Sequence, residues 1–327
     1  MDNDGRLAKV PEFLTTPWSI EIADSEDYDS FSGALSRADA VISMDWPASM
    51  PSAPQLKLLQ LPGAGIDEIA LDSVPAQATV CNVFEHETGI SEYVLATMLQ
   101  WVIPIPQLEA ALRGGEWRGS HMSGPKHQEL FGQTLGIIGY GRIGREVAKR
   151  ASAFGMRILS CSRTTNTADG IVETVQPMDK LTDVLSQSDF VLLAMPLTRE
   201  TAGIIGSSQL AAMKSTAVII NVARGPLIDE QSLYDACRKH LIGGAIIDTW
   251  YRYPSTSMES CAPSRYPFHE LDNVIMTPHA SAWTEPLMPR RNHVIARNLD
   301  RLARNEKLLN IVREPVLRVN HASNVNQ

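Results

Sequence analysis

Three polar residues follow short apolar runs: Arg224 in Asn221-Val222-Ala223-Arg224-Gly225-Pro226, Asp248 after Ala245-Ile246-Ile247, and His279 in Thr277-Pro278-His279-Ala280. An arginine's planar fork pairs with both oxygens of a carboxylate or grips a polarised carbonyl. A histidine gives and takes a proton near neutral pH. Singly, each has an ordinary alternative: a surface salt bridge for the arginine, a hydrogen-bonded loop side chain for the histidine. Together they stand at successive strand ends, where α/β sheets place ligands, and that recurrence points to proton chemistry on a small acid.

The elements that must position these groups are organised around Gln133 to Gly144, an apolar run ending in Gly139-Tyr140-Gly141-Arg142-Ile143-Gly144. Ile143, Val147, Ala151 and Phe154 then fall at helical spacing, and Gly155 stands where the helix stops. The stretch reads as strand, tight turn, helix. Gly139 makes the turn, Gly141 lets backbone approach a pyrophosphate, and Gly144 lets the helix pack close to the strand. The unpaired N–H groups and dipole of the helix start favour the phosphates of a dinucleotide.

The next strand, Met156 to Cys161, is followed by Ser162-Arg163-Thr164-Thr165. That is about 20 residues past the glycines, where an NAD site carries a carboxylate for the ribose. None is there. Arg163 can fork onto a 2′-phosphate and the hydroxyls can donate, which favours NADP, with NAD still possible. The alternative is that Arg163 is a solvated loop charge.

The 327 residues suit two domains. Net charge is −8, which leaves no basic field for nucleic acid. Cys81, Cys161, Cys237 and Cys261 lie far apart, as reduced thiols do, with no disulfide framework and no metal-site spacing. The start of the chain is polar, and apolar runs such as 190–195 are too short to span a bilayer, so the expectation is a cytoplasmic protein without a membrane partner.

Up to about residue 85, apolar runs at 40–44, 56–61 and 78–83 alternate with polar or helical segments, the pattern of a small α/β domain with a parallel sheet. Pro62-Gly63-Ala64-Gly65-Ile66-Asp67 follows the second run, and its bare N–H groups suit a carboxylate, although a plain tight turn explains the residues equally well. Ile90, Tyr93, Val94, Met98 and Trp101 form one helical face, with His86, Glu87 and Glu92 read as cap and surface charge. A helix followed by a loop spans 107–130. Strand-like runs at 190–195, 217–222, 245–248 and 274–276 alternate with helical segments, as in a doubly wound parallel sheet. A helix over 288–305 must pack on something already built, and the polar tail 321–327 is expected to be disordered.

The Gly139–Gly144 turn, Met195-Pro196-Leu197-Thr198 with Thr201, Met213-Lys214, the run from Asn221 to Glu230 and Thr277-Pro278-His279 together resemble the D-2-hydroxyacid dehydrogenases, over essentially the full chain. The resemblance implies two doubly wound parallel-sheet domains. One is a split, flavodoxin-like substrate domain (1–100, rejoined by 288–327) and the other a central Rossmann coenzyme domain (101–287), with the site in the cleft between them and a homodimer through the coenzyme domain. It implies that Arg224 holds a 2-oxo acid and that His279 protonates its carbonyl oxygen as hydride arrives. Ala64 and Gly65 hold the substrate carboxylate, and Asp248 meets the nicotinamide carboxamide. Met195, Pro196, Thr201, Val222, Ala223 and Ala280 add contacts to the coenzyme, beside Tyr140, Arg142, Ile143, Ser162 and Thr164.

One position departs from the family. Its glutamate, five residues after the aspartate and paired with the catalytic histidine, is Tyr253 here, in Asp248-Thr249-Trp250-Tyr251-Arg252-Tyr253-Pro254. A neighbouring carboxylate raises a histidine by about 1 to 3 pKa units. Without it His279 is expected near the ordinary value of about 6.5, unless Glu259, Glu270 or Glu285 folds in, or the Tyr253 hydroxyl accepts from the ring. Trp250, Tyr251, Tyr253 and Trp283 suggest a narrow aromatic-walled pocket for glyoxylate or hydroxypyruvate; burial in a core or dimer contact accounts for them as well. The leading expectation is an NADPH-dependent 2-oxo acid reductase, the alternatives a catalytically impaired dinucleotide sensor or a dehydrogenase of another anion.

Overall fold

The computed structural model describes residues 7–24, 27–121, 124–164, 169–172, 174–255 and 260–316; Thr165, Glu259 and the tail 321–327 lie outside them. Along the chain run α1 (Tyr28–Arg37), β1 (Ala40–Ile42), β2 (Leu58–Gln60), β3 (Thr79–Cys81), α2 (Glu87–Val102), α3 (Ile105–Arg113), β4 (Thr134–Ile138), α4 (Arg142–Ala153), β5 (Arg157–Cys161), β6 (Val175–Gln176), α5 (Leu181–Gln187), β7 (Phe190–Leu193), α6 (Ser207–Ala212), β8 (Val218–Asn221), α7 (Glu230–Arg238), β9 (Gly244–Ile247), β10 (Val274–Met276), α8 (Leu287–Ala303) and β11 (Ile311–Arg313). Two compact units result: Met1–Glu85 with Thr284–Gln327, and His86–Trp283.

In the second unit seven strands lie in the order β10-β9-β8-β7-β4-β5-β6. Every pairing is parallel. The chain steps from β4 outward to β6, then returns to add β7 on β4's other side, so a switch point lies where β4 ends. Strands β4, β7, β8 and β9 are buried along their whole length, because helices cover both faces and an uninterrupted Val/Ile/Leu run is then needed. Each such side chain taken fully out of water contributes about 1.5–3 kcal/mol. On one face Ile90, Val94 and Met98 of α2 pack with Val147, Ala148 and Ala151 of α4. The apolar stripe of α2 is thus buried in the second unit's core, and the division between the units falls at residues 85 and 86. The chain returns to the first unit at Thr284.

The first unit joins both chain ends. Strands β1, β2 and β3 are parallel, and β11 adds antiparallel to β3. β11 escapes a sequence reading because Ile311 and Val312 are too few to signal a strand until β3 offers an edge. Arg313 fastens it by donating to the carbonyls of Leu71, Val74, Pro75 and Ala78 at 2.6–3.0 Å. Ile295, Ala296 and Leu299 of α8 bury against Val10, Leu58 and Cys81. Inside that contact Asn298 donates to Gln60 Oε1 at 2.7 Å, and both residues are fully buried. A buried amide left unmatched costs about 1–3 kcal/mol, so the pair fixes the register of α8 on β2. Among the described residues no helix is long and apolar enough to cross a membrane.

Candidate active site

The glycine turn after β4 divides its work as its spacing requires. Gly139 has φ +100°, and a Cβ there would stand 2.7 Å from the Ala194 carbonyl oxygen. A Cβ on Gly144 would stand 2.5 Å from the carbonyl oxygen of Gly139, so α4 can lie this close to the turn only without a side chain. Gly141 is different: nothing lies within 4 Å of a Cβ built there, and it is the N-cap of α4 with no side chain capping the helix. An uncapped helix start facing open space, with glycine at its cap, fits a pyrophosphate.

Tyr140 contributes backbone to that turn and turns its ring inward. The ring is buried, its hydroxyl donates to Asp169 Oδ2 at 2.7 Å, and the Arg145 guanidinium lies 4.8 Å from its centroid. Burial pushes its phenol up. Arg142 and Ile143 begin α4, with Arg142 exposed and 3.8 Å from Glu87.

At the end of β5, Ser162 donates its N–H to Gln176 at 2.9 Å, and Arg163 and Thr164 are exposed. Arg163 acts electrostatically on Glu200, whose carboxyl is held below the ordinary range chiefly by the Thr198 hydroxyl and in smaller part by Arg163. So the arginine has a carboxylate neighbour after β7, which a reading confined to the β5 loop misses. Met195 and Pro196 leave the end of β7, and Thr201 fastens that loop: its hydroxyl donates to the Pro196 carbonyl at 2.9 Å and accepts the Thr198 N–H at 2.7 Å.

Arg224, Asp248, Tyr253 and His279 come together at the carboxyl ends of β8, β9 and β10. Val222 and Ala223 are buried in the turn before Arg224, and the Asn221 side chain braces that turn by donating to the Arg224 carbonyl at 2.8 Å. A Cβ on Gly225 would stand 2.4 Å from the Trp250 carbonyl oxygen, so the Arg224 turn rests directly on the segment after β9. The Arg224 guanidinium is half-buried and donates to the Ala223 carbonyl at 2.8 Å.

Asp248 is fully buried, and its carboxylate serves the chain around His279. Oδ1 accepts from the Thr277 hydroxyl at 2.6 Å and the Ala280 N–H at 2.8 Å, while Oδ2 accepts the Ser281 N–H at 3.0 Å. Its backbone carbonyl takes the His279 N–H at 2.9 Å. His279 sits at φ +58°, a conformation that a non-glycine residue keeps only when its neighbours hold it. The nicotinamide contact expected of Asp248 and the coenzyme contact expected of Ala280 therefore involve groups already joined to each other.

The imidazole of His279 titrates below its ordinary value. Loss of solvent around the ring is the largest cause, the Asp248 charge opposes it, and the Arg224 charge adds to it. The residue as a whole is nonetheless exposed. Among the described residues neither ring nitrogen has a hydrogen-bond partner. The Tyr253 ring is 5.6 Å from the His279 ring, centroid to centroid, but its hydroxyl accepts the Trp250 N–H at 3.0 Å. Of the alternatives raised for a partner to the ring, neither the Tyr253 hydroxyl nor Glu270, at the end of a 3-10 turn, nor Glu285 bonds to it.

The aromatic segment divides. Trp250 is core, 5% exposed, with its indole N–H donating to the Thr277 carbonyl at 2.8 Å, and Tyr251 donates to the Ile228 carbonyl at 3.1 Å. These two are anchors, which corrects the expectation of a pocket walled by the whole segment. Tyr253 and Trp283 remain open, 50% and 60% exposed. In the first unit, Ala64 and Gly65 follow β2, and among the described residues their N–H groups donate no hydrogen bond; the Ala64 carbonyl accepts from Asn82 at 2.9 Å. Tyr93 and Thr277 join Asp248 through their hydroxyls, a link the linear chain does not show: helical periodicity marks Tyr93 as an inward-facing residue and is silent on its hydroxyl.

The family model described as D-isomer specific 2-hydroxyacid dehydrogenase, NAD binding domain, matches residues 95–281. A D-3-phosphoglycerate dehydrogenase of Methanocaldococcus jannaschii is 36% identical over 265 residues, 80% of this chain; the chain spans only 48% of that relative's length. A glyoxylate reductase of Pyrococcus furiosus is 32% identical over 274 residues, 82% of this chain and 79% of its own. Among solved structures, an acyclic imino acid reductase in complex with NADPH and D-Arg superposes with TM-score 0.73 at 25% identity, covering 96% of this chain and 97% of that one. With the glycine turn, the arginine after β8 and the histidine after β10 all in the matched region, the chain belongs to the D-2-hydroxyacid dehydrogenase family.

Proposed function

We propose that the chain is an NADPH-dependent reductase of a small 2-oxo acid of the glyoxylate or hydroxypyruvate type, forming the D-2-hydroxy acid. The observation that carries this reading is the convergence of Arg224 and His279 beside Asp248 in the sheet that bears the glycine turn. The coenzyme, when bound, supplies a hydride to the carbonyl carbon. Arg224 pairs with the acid and polarises its carbonyl. His279 gives its proton to the carbonyl oxygen as negative charge develops there, and solvent reprotonates the ring. Gly141 and the start of α4 hold the pyrophosphate. Arg163 would pair with a 2′-phosphate, displacing its weaker association with Glu200.

Glyoxylate-type acids are preferred over phosphoglycerate because the loop from Pro62 to Asp67 offers backbone N–H groups and no cation for a phosphate. The tyrosine at 253 favours a second reading, a dinucleotide-binding protein with little turnover, since the imidazole lacks a side-chain partner to orient it. NADPH and NADH consumption on glyoxylate, hydroxypyruvate, a branched 2-oxo acid and a 2-imino acid separates the readings. Turnover on the small acids that is lost in His279→Ala is the expected result; tight NADPH binding with no turnover on any of them would favour the second.

A further inference from the structure

The family's usual partner for the histidine is missing, yet His279 is held in a demanding backbone conformation, so something else fixes it. Asp248 takes the N–H groups of three successive residues, 279 through its carbonyl and 280 and 281 through its carboxylate. The carboxylate is itself steadied from behind. Thr277 spends its one hydroxyl proton on Asp248 Oδ1 at 2.6 Å, so the 2.7 Å contact between the Tyr93 and Thr277 hydroxyls must have Tyr93 as donor. Burial pushes the Tyr93 phenol up to about 12, which keeps that proton in place at any working pH. Thr277 is also tied at both backbone ends, its N–H to the Ile247 carbonyl at 3.0 Å and its carbonyl to the Trp250 indole at 2.8 Å.

We propose that the chain of donors from Tyr93 on α2 through Thr277 to Asp248 is the device that orients His279 in this protein, with Tyr93 and Thr277 as positioning residues that touch neither substrate nor coenzyme. The inference rests on the reading of His279 as proton donor. Two facts favour it over simple packing. The chain ends on the residue that clasps 279 to 281, and each link has a defined donor, so deleting one oxygen from Tyr93 leaves an acceptor unsatisfied without opening a cavity. A carboxylate that loses part of its hydrogen-bonded support can turn, and the loop turns with it. A misplacement of about 1 Å costs a proton transfer up to about a hundredfold.

The test uses Tyr93→Phe, Thr277→Val and Thr277→Ser in the full chain. Amide hydrogen exchange at Ala280 and Ser281 should quicken about tenfold in the first two variants, with exchange in β4 and β7 unchanged. Turnover should fall about tenfold in Tyr93→Phe and about a hundredfold in Thr277→Val, with KM for the acid and Kd for NADPH near wild type. Thr277→Ser should restore both readouts. Unchanged exchange at 280 and 281 in Tyr93→Phe would overturn the inference, as would KM and turnover changing together, or a Tyr93→Phe chain that fails to fold, which would make the hydroxyl a stability element only. If the wild type reduces no 2-oxo acid the functional reading fails by itself, and the exchange rates still decide this one.

Discussion

The Tyr253 ring lies 5.6 Å from that of His279, yet its hydroxyl faces the Trp250 N–H and leaves the imidazole without a side-chain anchor. Placing a carboxylate there should restore charge support. In Tyr253→Glu the His279 pKa is expected to rise by about 1 to 3 units. Reduction consumes the protonated ring, so the fall in kcat/KM with rising pH should move to higher pH by that amount. A pH–rate profile of the variant against wild type checks it, and an unmoved profile would rule the carboxylate effect out.

His279 in the wild type titrates below its ordinary value, with lost solvation as the main cause. At an unperturbed value of about 6.5, roughly a quarter of the ring is protonated at pH 7, and the lowered value leaves less. Reduction should therefore quicken as pH falls through the His279 pKa, and oxidation of the hydroxy acid, which needs the neutral ring, should quicken as pH rises through it. His279→Ala should lower turnover by about 10²- to 10⁴-fold while NADPH affinity is retained. Steady-state kinetics in both directions, with coenzyme fluorescence titration, read both effects.

Arg163 and Glu200 oppose each other at the proposed 2′-phosphate site. Arg163→Ser should weaken NADPH binding by about 10- to 100-fold, the worth of a charge-assisted contact, and leave NADH binding nearly unchanged. Glu200→Gln should act in the other direction, because it removes a carboxylate that competes for the same guanidinium. Isothermal titration with each coenzyme measures both; equal losses for NADPH and NADH would assign Arg163 to something other than the phosphate.

Two glycines of the turn should fail in different ways. Gly139→Ala forces a side chain into a positive-φ position and against the Ala194 carbonyl, so a loss of about 1–3 kcal/mol in stability is expected. Gly141→Ala adds a Cβ with nothing within 4 Å of it in the protein, so this variant should keep its unfolding midpoint while losing coenzyme affinity. Thermal unfolding and coenzyme titration on the two variants give the comparison.

Much of this was legible in the linear chain. The runs 135–138, 190–193, 218–220 and 244–247 are apolar without interruption, which only a sheet covered on both faces tolerates, and the glycine spacing names a turn whose backbone must meet a ligand. Arg224 and His279 are visible because polar side chains directly after such runs stand at strand ends. What tertiary structure decided concerns direction and partners. Periodicity says that Tyr93 and Trp250 face inward, but a hydroxyl or indole N–H pairs according to which carbonyl or oxygen the fold brings within about 3 Å, and that depends on residues 184 and 27 positions away. The same holds for Asp248, whose carboxylate lies buried against the loop after β10, and for β11, two apolar residues that become a strand only beside β3. A local pattern carries burial, because burial follows from repeat geometry; hydrogen-bond partnership is settled only when distant segments meet.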